Sequence, residues 1–338
     1  MLKIHKNYSL KNNTTFGVDI VSSWFTEPET VEELEYGIRH AQERALEYLI
    51  IGEGSNLLFT GPYEGMIIHP LLSGIDLLDE SETELMVKVG AGVNWDAFVE
   101  HCVRHNWYGT ENLSLIPGSV GATPVQNIGA YGVEAKDLIE YVEVFNTQKL
   151  NVEILSNTAC KFAYRDSIFK HIYGEHYIVI NVVFNLKKKK NFVLDYGNVK
   201  EEFMKFTEQN LANLRQTIIS IRENKLPDPE ETGNAGSFFK NPVVPMDIFD
   251  AIQEKYGSVP NYPAGKGKVK IPAAWLIEKS GWKGKREGDT GCWPKQPLVI
   301  VNYGKATGRE IFEFSEKIRN SVQSNFDILL EREVTVLH

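Results

Sequence analysis

PGSVGATPVQNIGAYG, residues 117–132, has no charged side chain, four glycines (Gly118, Gly121, Gly129, Gly132) and two prolines. That composition argues against a helix or a long strand. A surface linker of such length ordinarily carries Lys, Glu or Asp, so burial is expected. A buried loop must pair its backbone N–H and C=O groups. Glycine allows close approach to a ligand and positive φ, forming nests of N–H donors that suit anionic oxygens. Two readings follow: a loop around a large phosphate-bearing cofactor, or a connector buried between domains.

The chain has 338 residues, enough for two or three domains. Apolar residues make up 42% and charged residues 24%, as in ordinary globular proteins. A net charge of −9 disfavours broad attraction to nucleic acid or anionic membrane, so neither is expected as a partner. The Lys187 to Lys190 run reads as a solvated hairpin tip. Cys102, Cys160 and Cys292 are isolated, which fits a reducing cytoplasm. The N-terminal MLKIHKNYSL lacks an apolar signal core, and no run approaches the length of a membrane span.

Thr30-Val-Glu-Glu33 reads as a capping box for a helix with Val31, Leu34, Ile38, Ala41 and Ala45 on one face. A strand at 48–51, then Gly-Glu-Gly-Ser-Asn56, then strands at 57–59 and 66–69 follow. Gly52-x-Gly54 invites a dinucleotide-fold reading, but Leu57 stands at the third glycine and a strand follows, not a helix. Such a turn can still cradle phosphate through its own N–H groups, with Ser55 and Asn56 as side-chain donors. After a strand at 85–89, Asn94 is placed to cap a helix with Trp95, Phe98, Val99, Cys102 and Val103 inward. His101 and His105 lie on its polar face without a further ligand, so no metal site is expected.

Residues 141–145 and 152–155 read as a hairpin. Arg165 and Asp166, between aromatic and small residues, mark either a ligand-facing element or a surface ion pair. A helix is expected at 211–223, and Lys225-Leu-Pro-Asp-Pro229 ends it and marks a domain boundary. Gly236 leaves Ser237 little screened. Lys266, Lys268 and Lys270 with Tyr262 form a basic loop suited to phosphate. A helix through Ile311, Phe314, Ile318 and Val322 precedes a last strand at 326–337. No G-x-S-x-G, H-E-x-x-H or Walker sequence is present, and Ser237 has no recognisable triad partners. Residue chemistry alone thus reaches an α+β protein with two glycine-rich phosphate-type loops and a separate C-terminal domain.

Nearly the whole chain resembles the UDP-N-acetylenolpyruvoylglucosamine reductase family. The resemblance rests on Asn13-Thr-Thr-Phe-Gly17, Gly52-Glu-Gly-Ser-Asn-Leu57, Ile116-Pro-Gly-Ser-Val-Gly121 and Gln126-Asn-Ile-Gly-Ala-Tyr-Gly132. It continues in Phe162-Ala-Tyr-Arg-Asp-Ser167, Gly233-Asn-Ala-Gly-Ser-Phe-Phe-Lys-Asn-Pro242 and Leu330-Glu-Arg-Glu-Val334. Leu194-Asp-Tyr-Gly-Asn198 resembles the tyrosine-bearing segment of the longer class. The last motif commonly has proline between its two acids, where this chain has Arg332.

The resemblance implies a vanillyl-alcohol-oxidase/CO-dehydrogenase type FAD-binding fold, with FAD subdomains at 1–70 and 71–224 and a substrate domain at 225–338. FAD would be lined by Gly52, Glu53, Gly54, Ser55, Asn56 and Leu57. Pro117, Gly118, Ser119, Val120, Gly121, Asn127, Gly129, Ala130, Tyr131 and Gly132 would complete its lining. Neither loop has His or Cys, so the FAD is expected to be non-covalent. NADPH would donate hydride to the flavin, which passes it to C3 of the enolpyruvyl group of a UDP-sugar, while C2 gains a proton. Arg165 is then the carboxylate clamp, Ser237 the proton donor, and Glu333 the partner shaping the acid site. Tyr196, Lys225, Asn241, Tyr262 and Gln296 match substrate-side positions. A cytoplasmic monomer is the expectation. The alternatives are an FAD oxidase of the same fold and a catalytically silent UDP-sugar-binding module.

Overall fold

In the computed structural model, residues 2–171 and 176–338 are described. They form two compact units. The first comprises Met1–Tyr8, Ser22–Glu53 and Glu64–Arg222, and the second Ser9–Val21, Gly54–Tyr63 and Glu223–His338.

The first unit is built on two sheets. One has the strand order Ile4–Ser9, Val21–Thr26, Tyr63–Ile68, Tyr48–Ile50. The other is antiparallel, ordered Asn151–Ser156, Ile139–Asn146, Tyr177–Lys187, Glu84–Gly90, Ile75–Glu80. Alternation in the sequence explains its core: Leu85, Val87 and Val89 point inward together with Val182, Phe184 and Leu186 of the partner strand. The hairpin expected at 141–155 is present, and Asn146 Oδ1 closes its turn by accepting the Gln148 and Lys149 N–H groups. Helix Trp95–Arg104 starts where Asn94 Oδ1 accepts the Ala97 N–H, and its Trp95, Phe98, Val99 and Cys102 are buried. Helix Leu211–Lys225 buries Leu211, Leu214, Ile218 and Ile221. It is tied to the former helix by a bidentate Arg215–Asp96 pair at 2.7 and 2.8 Å.

The second unit contains the antiparallel order Gly233–Ser237, Val299–Asn302, Thr290–Cys292, Arg286–Glu287. Helix Gly308–Phe326, with a complete Thr307–Glu310 capping box, packs on it. A smaller sheet is ordered Val243–Pro245, Lys268–Lys270, Tyr262–Pro263. Strand Thr335–Leu337 lies parallel to Leu57–Phe59.

Several expectations are corrected. Helix Val31–Glu43 stops short of Ala45, which is exposed and takes a left-handed φ of 51°. The charge-free stretch is buried or half-buried except at Pro117 and Gly132, but it is not helix-free. Val120–Ala122 and Thr123–Gln126 wind into consecutive turns, and Pro124 sits in the first turn, where no N–H is needed. Lys187 closes a strand and Lys188 follows it, paired to Glu84 and Glu80, so the lysine run is no hairpin tip. The basic loop is a β-hairpin with Tyr262 opposite Lys270. The last strand is short because Phe326 ends a helix and Asp327 takes the left-handed cap at φ 54°.

Candidate active site

In the first unit the two glycine-rich segments are fastened to each other. A Cβ on Gly52 would stand 2.5 Å from Ser119 Oγ, so a larger residue there would have to turn that hydroxyl away. The Glu53 carboxylate accepts the Asn94 amide at 2.7 Å and the Gly118 N–H at 3.0 Å. Val120 and Gly121 donate their N–H groups to Val93 and Ala91 at 2.8 Å each, and the Val120 side chain lies in the core. The N–H donors expected to line a nest within 117–132 are therefore partly consumed in pairing the chain that leaves strand Glu84–Gly90.

Asn127, fully buried at φ 43°, is saturated by protein groups. Its amide donates to Glu134 Oε2 (3.0 Å) and Ala163 O (2.8 Å), and its oxygen accepts the Lys136 N–H (3.0 Å). Ala163 and Asp166 exchange two backbone bonds, leaving Tyr164 and Arg165 at the tip of a tight turn. Arg165 has φ 54°, a left-handed conformation costing about 1 kcal/mol in a non-glycine residue, and such strain collects at functional positions. Its Nη2 donates to Gly129 O at 2.6 Å. A Cβ at Gly129 would crowd Arg165 Nη1 at 3.0 Å. Lys170 Nζ donates to Gln126 Oε1 at 2.7 Å and to Arg165 O at 3.3 Å, latching the turn to the loop. The structure thus brings Arg165 to the 126–129 end of the charge-free stretch.

Further along, Gly129–Ala130 pairs with Val133–Glu134, and Tyr131 has φ 48° at the turn between them. The Tyr131 ring meets Tyr196 edge-on at 6.0 Å and 86°. Behind Tyr131 lies Arg222, which the sequence reading did not single out. Burial lowers its pKa, with Tyr131 and Asp96 opposing, and its Nε is buried without a hydrogen-bond partner. Burial likewise raises the pKa of Tyr131. The missed signal was a charged residue four after Ile218, within the apolar stripe of its helix.

In the second unit, Ser237 ends strand Gly233–Ser237, one residue past Gly236 at φ 65° with no atom near its missing Cβ. A register shift between Asn234 and Ser237 marks a bulge, which re-aims the serine. Glu333 donates its N–H to Phe238 O at 2.9 Å, and Lys240 donates to Glu331 O at 2.9 Å. Ser237 and Glu333 therefore lie on adjoining backbones. Neither bond uses the Arg332 N–H, so the proline expected in the family motif would be compatible with the same pairing. Asn56 holds this segment: its amide donates to Glu333 O at 3.0 Å and its carbonyl accepts the Thr335 N–H at 3.0 Å. Leu57 pairs beside Thr335.

Of the substrate-side positions, Lys225 is exposed, and its carbonyl accepts the Trp293 indole N–H at 3.1 Å. The Val299 N–H returns to Gln296 O at 3.0 Å, and Gln296 Oε1 is buried without a partner. Asn241 Oδ1 accepts the Ala273 N–H at 2.9 Å, so one of its groups starts a helix. Tyr262, 44% exposed, lies on the edge strand of the small sheet, and Tyr196, in the first unit, is 46% exposed.

Asn13 Oδ1, Thr14 Oγ1 and Thr15 Oγ1 are buried and lack hydrogen-bond partners. Gly54, at φ 62°, packs on the same stretch, where a Cβ would stand 2.1 Å from Asn13 O. An unpaired buried polar group costs about 1–3 kcal/mol, so a run of them fits a polar ligand better than a plain connector. The residues present on that stretch thus fit a large polar group such as the phosphate-bearing FAD. The Asn13-Thr-Thr motif itself was visible in the sequence, though without a role.

A family model described as the C-terminal domain of UDP-N-acetylenolpyruvoylglucosamine reductase matches residues 228–337, and one described as an FAD binding domain matches 23–149. The UDP-N-acetylenolpyruvoylglucosamine reductase of Bacteroides fragilis is 46% identical over 99% of this chain and 100% of its own. That of Chromobacterium violaceum is 41% identical over 99% of each. The crystal structure of the Thermus caldophilus enzyme aligns with TM-score 0.72 at 25% identity, covering 100% of both chains. The fold is thus the α+β, vanillyl-alcohol-oxidase type FAD-binding fold. With full-length relatives at these identities, the chain belongs to the UDP-N-acetylenolpyruvoylglucosamine reductase family.

Proposed function

We propose that the chain reduces the enolpyruvyl double bond of UDP-N-acetylenolpyruvoylglucosamine, consuming NADPH and a proton and yielding UDP-N-acetylmuramate and NADP+. FAD, bound without a covalent tether, supplies the hydride relay from NADPH to C3. Hydride at C3 leaves negative charge on C2 and the adjoining carboxylate, so the chain must provide a cationic clamp and an acid. Arg165 is the clamp, its planar fork suited to two carboxylate oxygens. Its backbone is already committed to an unusual conformation by the Ala163–Asp166 turn. Ser237 gives its hydroxyl proton to C2 and recovers one from water. Glu333 shapes the acid site, its backbone fixed on both sides by Phe238 and Asn56.

Gly52, Gly54, Ser55, Gly129, Ala130 and Gly132 form the backbone surface toward the cofactor. Glu53, Asn56, Asn127 and Val120 hold that surface in place. Tyr196, Lys225, Asn241, Tyr262 and Gln296 take the UDP-sugar. The reading includes a three-part division at 70 and 224, a monomer, and a cytoplasmic setting. Three unbridged, buried cysteines support the last, and no helix among the described residues is long and apolar enough to cross a membrane.

The observation that carries the chemistry is the Glu333 N–H on Phe238 O, which sets the segment bearing Glu333 beside the strand ending in Ser237. Steady-state assay tests it: NADPH oxidation should require the enolpyruvyl sugar nucleotide. Rapid NADPH consumption with peroxide formation in its absence would favour an oxidase instead.

A further inference from the structure

Asn112 lies outside every motif assigned above. It sits in the single turn Glu111–Leu113 and is 1% exposed. Its amide nitrogen donates two bonds of 2.8 Å, one to Tyr131 O and one to Val193 O. The first acceptor belongs to the turn of the charge-free stretch. The second belongs to the irregular segment that precedes Tyr196, a segment with no sheet or helix to fix its backbone. The same two pieces touch again nearby. Gly132, at φ 86°, leaves the Val193 side chain 3.1 Å and Tyr196 Cβ 3.9 Å from the place of a Cβ, and the two tyrosine rings meet edge-on.

We infer that Asn112 is a positioning residue for the UDP-sugar step: it holds the Tyr196 segment against the Tyr131 turn so that Tyr196 is preset for the sugar nucleotide. The inference rests on Tyr196 being a substrate residue. Its physical basis is that one buried side chain satisfies two carbonyls of separate segments: the Tyr131 turn has its own β pairing, whereas the stretch leading to Tyr196 has no sheet or helix bonds of its own. Replacing the amide by a carboxylate sets an acceptor against two acceptors and loses both bonds at once.

The test is the affinity of the oxidised FAD holoenzyme for the enolpyruvyl sugar nucleotide, measured by calorimetry for wild type, Asn112→Asp, Tyr196→Ala and the double variant. Asn112→Asp should weaken binding about tenfold, equivalent to the ~1.4 kcal/mol of one good contact. The double variant should bind no more weakly than the weaker single variant, because both changes remove the same contribution. FAD content and the rate of flavin reduction by NADPH should stay within about twofold of wild type, a split that general loss of structure does not produce. Additive losses, or an equal fall in the NADPH step, would overturn the inference. So would unchanged affinity in Asn112→Asp beside a weakened Tyr196→Ala, leaving the Tyr196 reading intact. Wild-type affinity in Tyr196→Ala would remove that reading and the inference with it. If Asn112→Asp does not accumulate as holoenzyme, Asn112→Ser, with one shorter donor, takes its place under the same criteria.

Discussion

In the proposed mechanism Ser237 is the residue on which the chemistry turns, and its role would separate the two half-reactions. An isolated serine hydroxyl is a very weak acid, so it protonates C2 only at close range to a strongly basic centre. Ser237→Ala should leave flavin reduction by NADPH within about twofold of wild type. It should slow reoxidation by the enolpyruvyl substrate at least ~100-fold, the scale of a positioned general acid. Equal slowing of both phases in stopped-flow traces would make Ser237 structural. The cysteines are expected to be silent for a different reason. Burial pushes the Cys102, Cys160 and Cys292 thiols up to about 12, so at pH 8 the reactive thiolate is nearly absent from each. Ellman's reagent should label none of the three in the folded protein and all of them in guanidinium; fast labelling of the native protein would contradict that burial.

At the scale of elements, the glycine turns and the helix pairing each make a prediction. Gly54→Ala should lower both FAD occupancy and melting temperature, since its Cβ would strike the Asn13 backbone. Gly61→Ala, in open space and without a positive φ, should leave both melting temperature and FAD content nearly unchanged. Similar effects of the two would remove the special role given to the turn. Asp96 joins two helices through Arg215. Burial alone would raise its pKa, but bonds from Arg215 and the Leu115 N–H outweigh that and lower it. A lowered folded-state pKa gives stability that is present above the unfolded value and lost as pH falls through the folded one. Asp96→Asn should therefore destabilise by about 2 kcal/mol at pH 7, with the difference shrinking below about pH 4. Chemical denaturation across that range would show it, and a constant difference would contradict it. Local signals of this kind were legible beforehand: the Asn94 cap, the 141–155 hairpin and the largely covered, charge-free loop. The helical turns inside that loop were not, because glycine and proline counts do not reveal that Pro124 falls in a first turn. Nor was the Asn56–Glu333 bond, which joins residues 277 positions apart, or the spending of Glu53 and Asn127 on backbone partners. Periodicity reports neighbours in sequence, and these contacts depend on the finished fold. The roles of Arg165, Ser237 and Glu333 came from family resemblance, since residue chemistry alone left Ser237 without a partner.

For the whole molecule, the two units have interleaved sequences: Ser9–Val21 and Gly54–Tyr63 join the C-terminal unit, although they are flanked by segments of the other. Under the proposed roles, Arg165 belongs to the first unit, and Ser237 and Glu333 to the second. The most direct measurement is made on purified holoenzyme, yellow from flavin, reduced anaerobically with one equivalent of NADPH and titrated with the enolpyruvyl sugar nucleotide. The flavin absorbance should return in proportion to added sugar nucleotide, one flavin reoxidised per molecule converted to UDP-N-acetylmuramate. A flavin that stays reduced under the sugar nucleotide and recovers its colour only when oxygen is admitted would contradict the account.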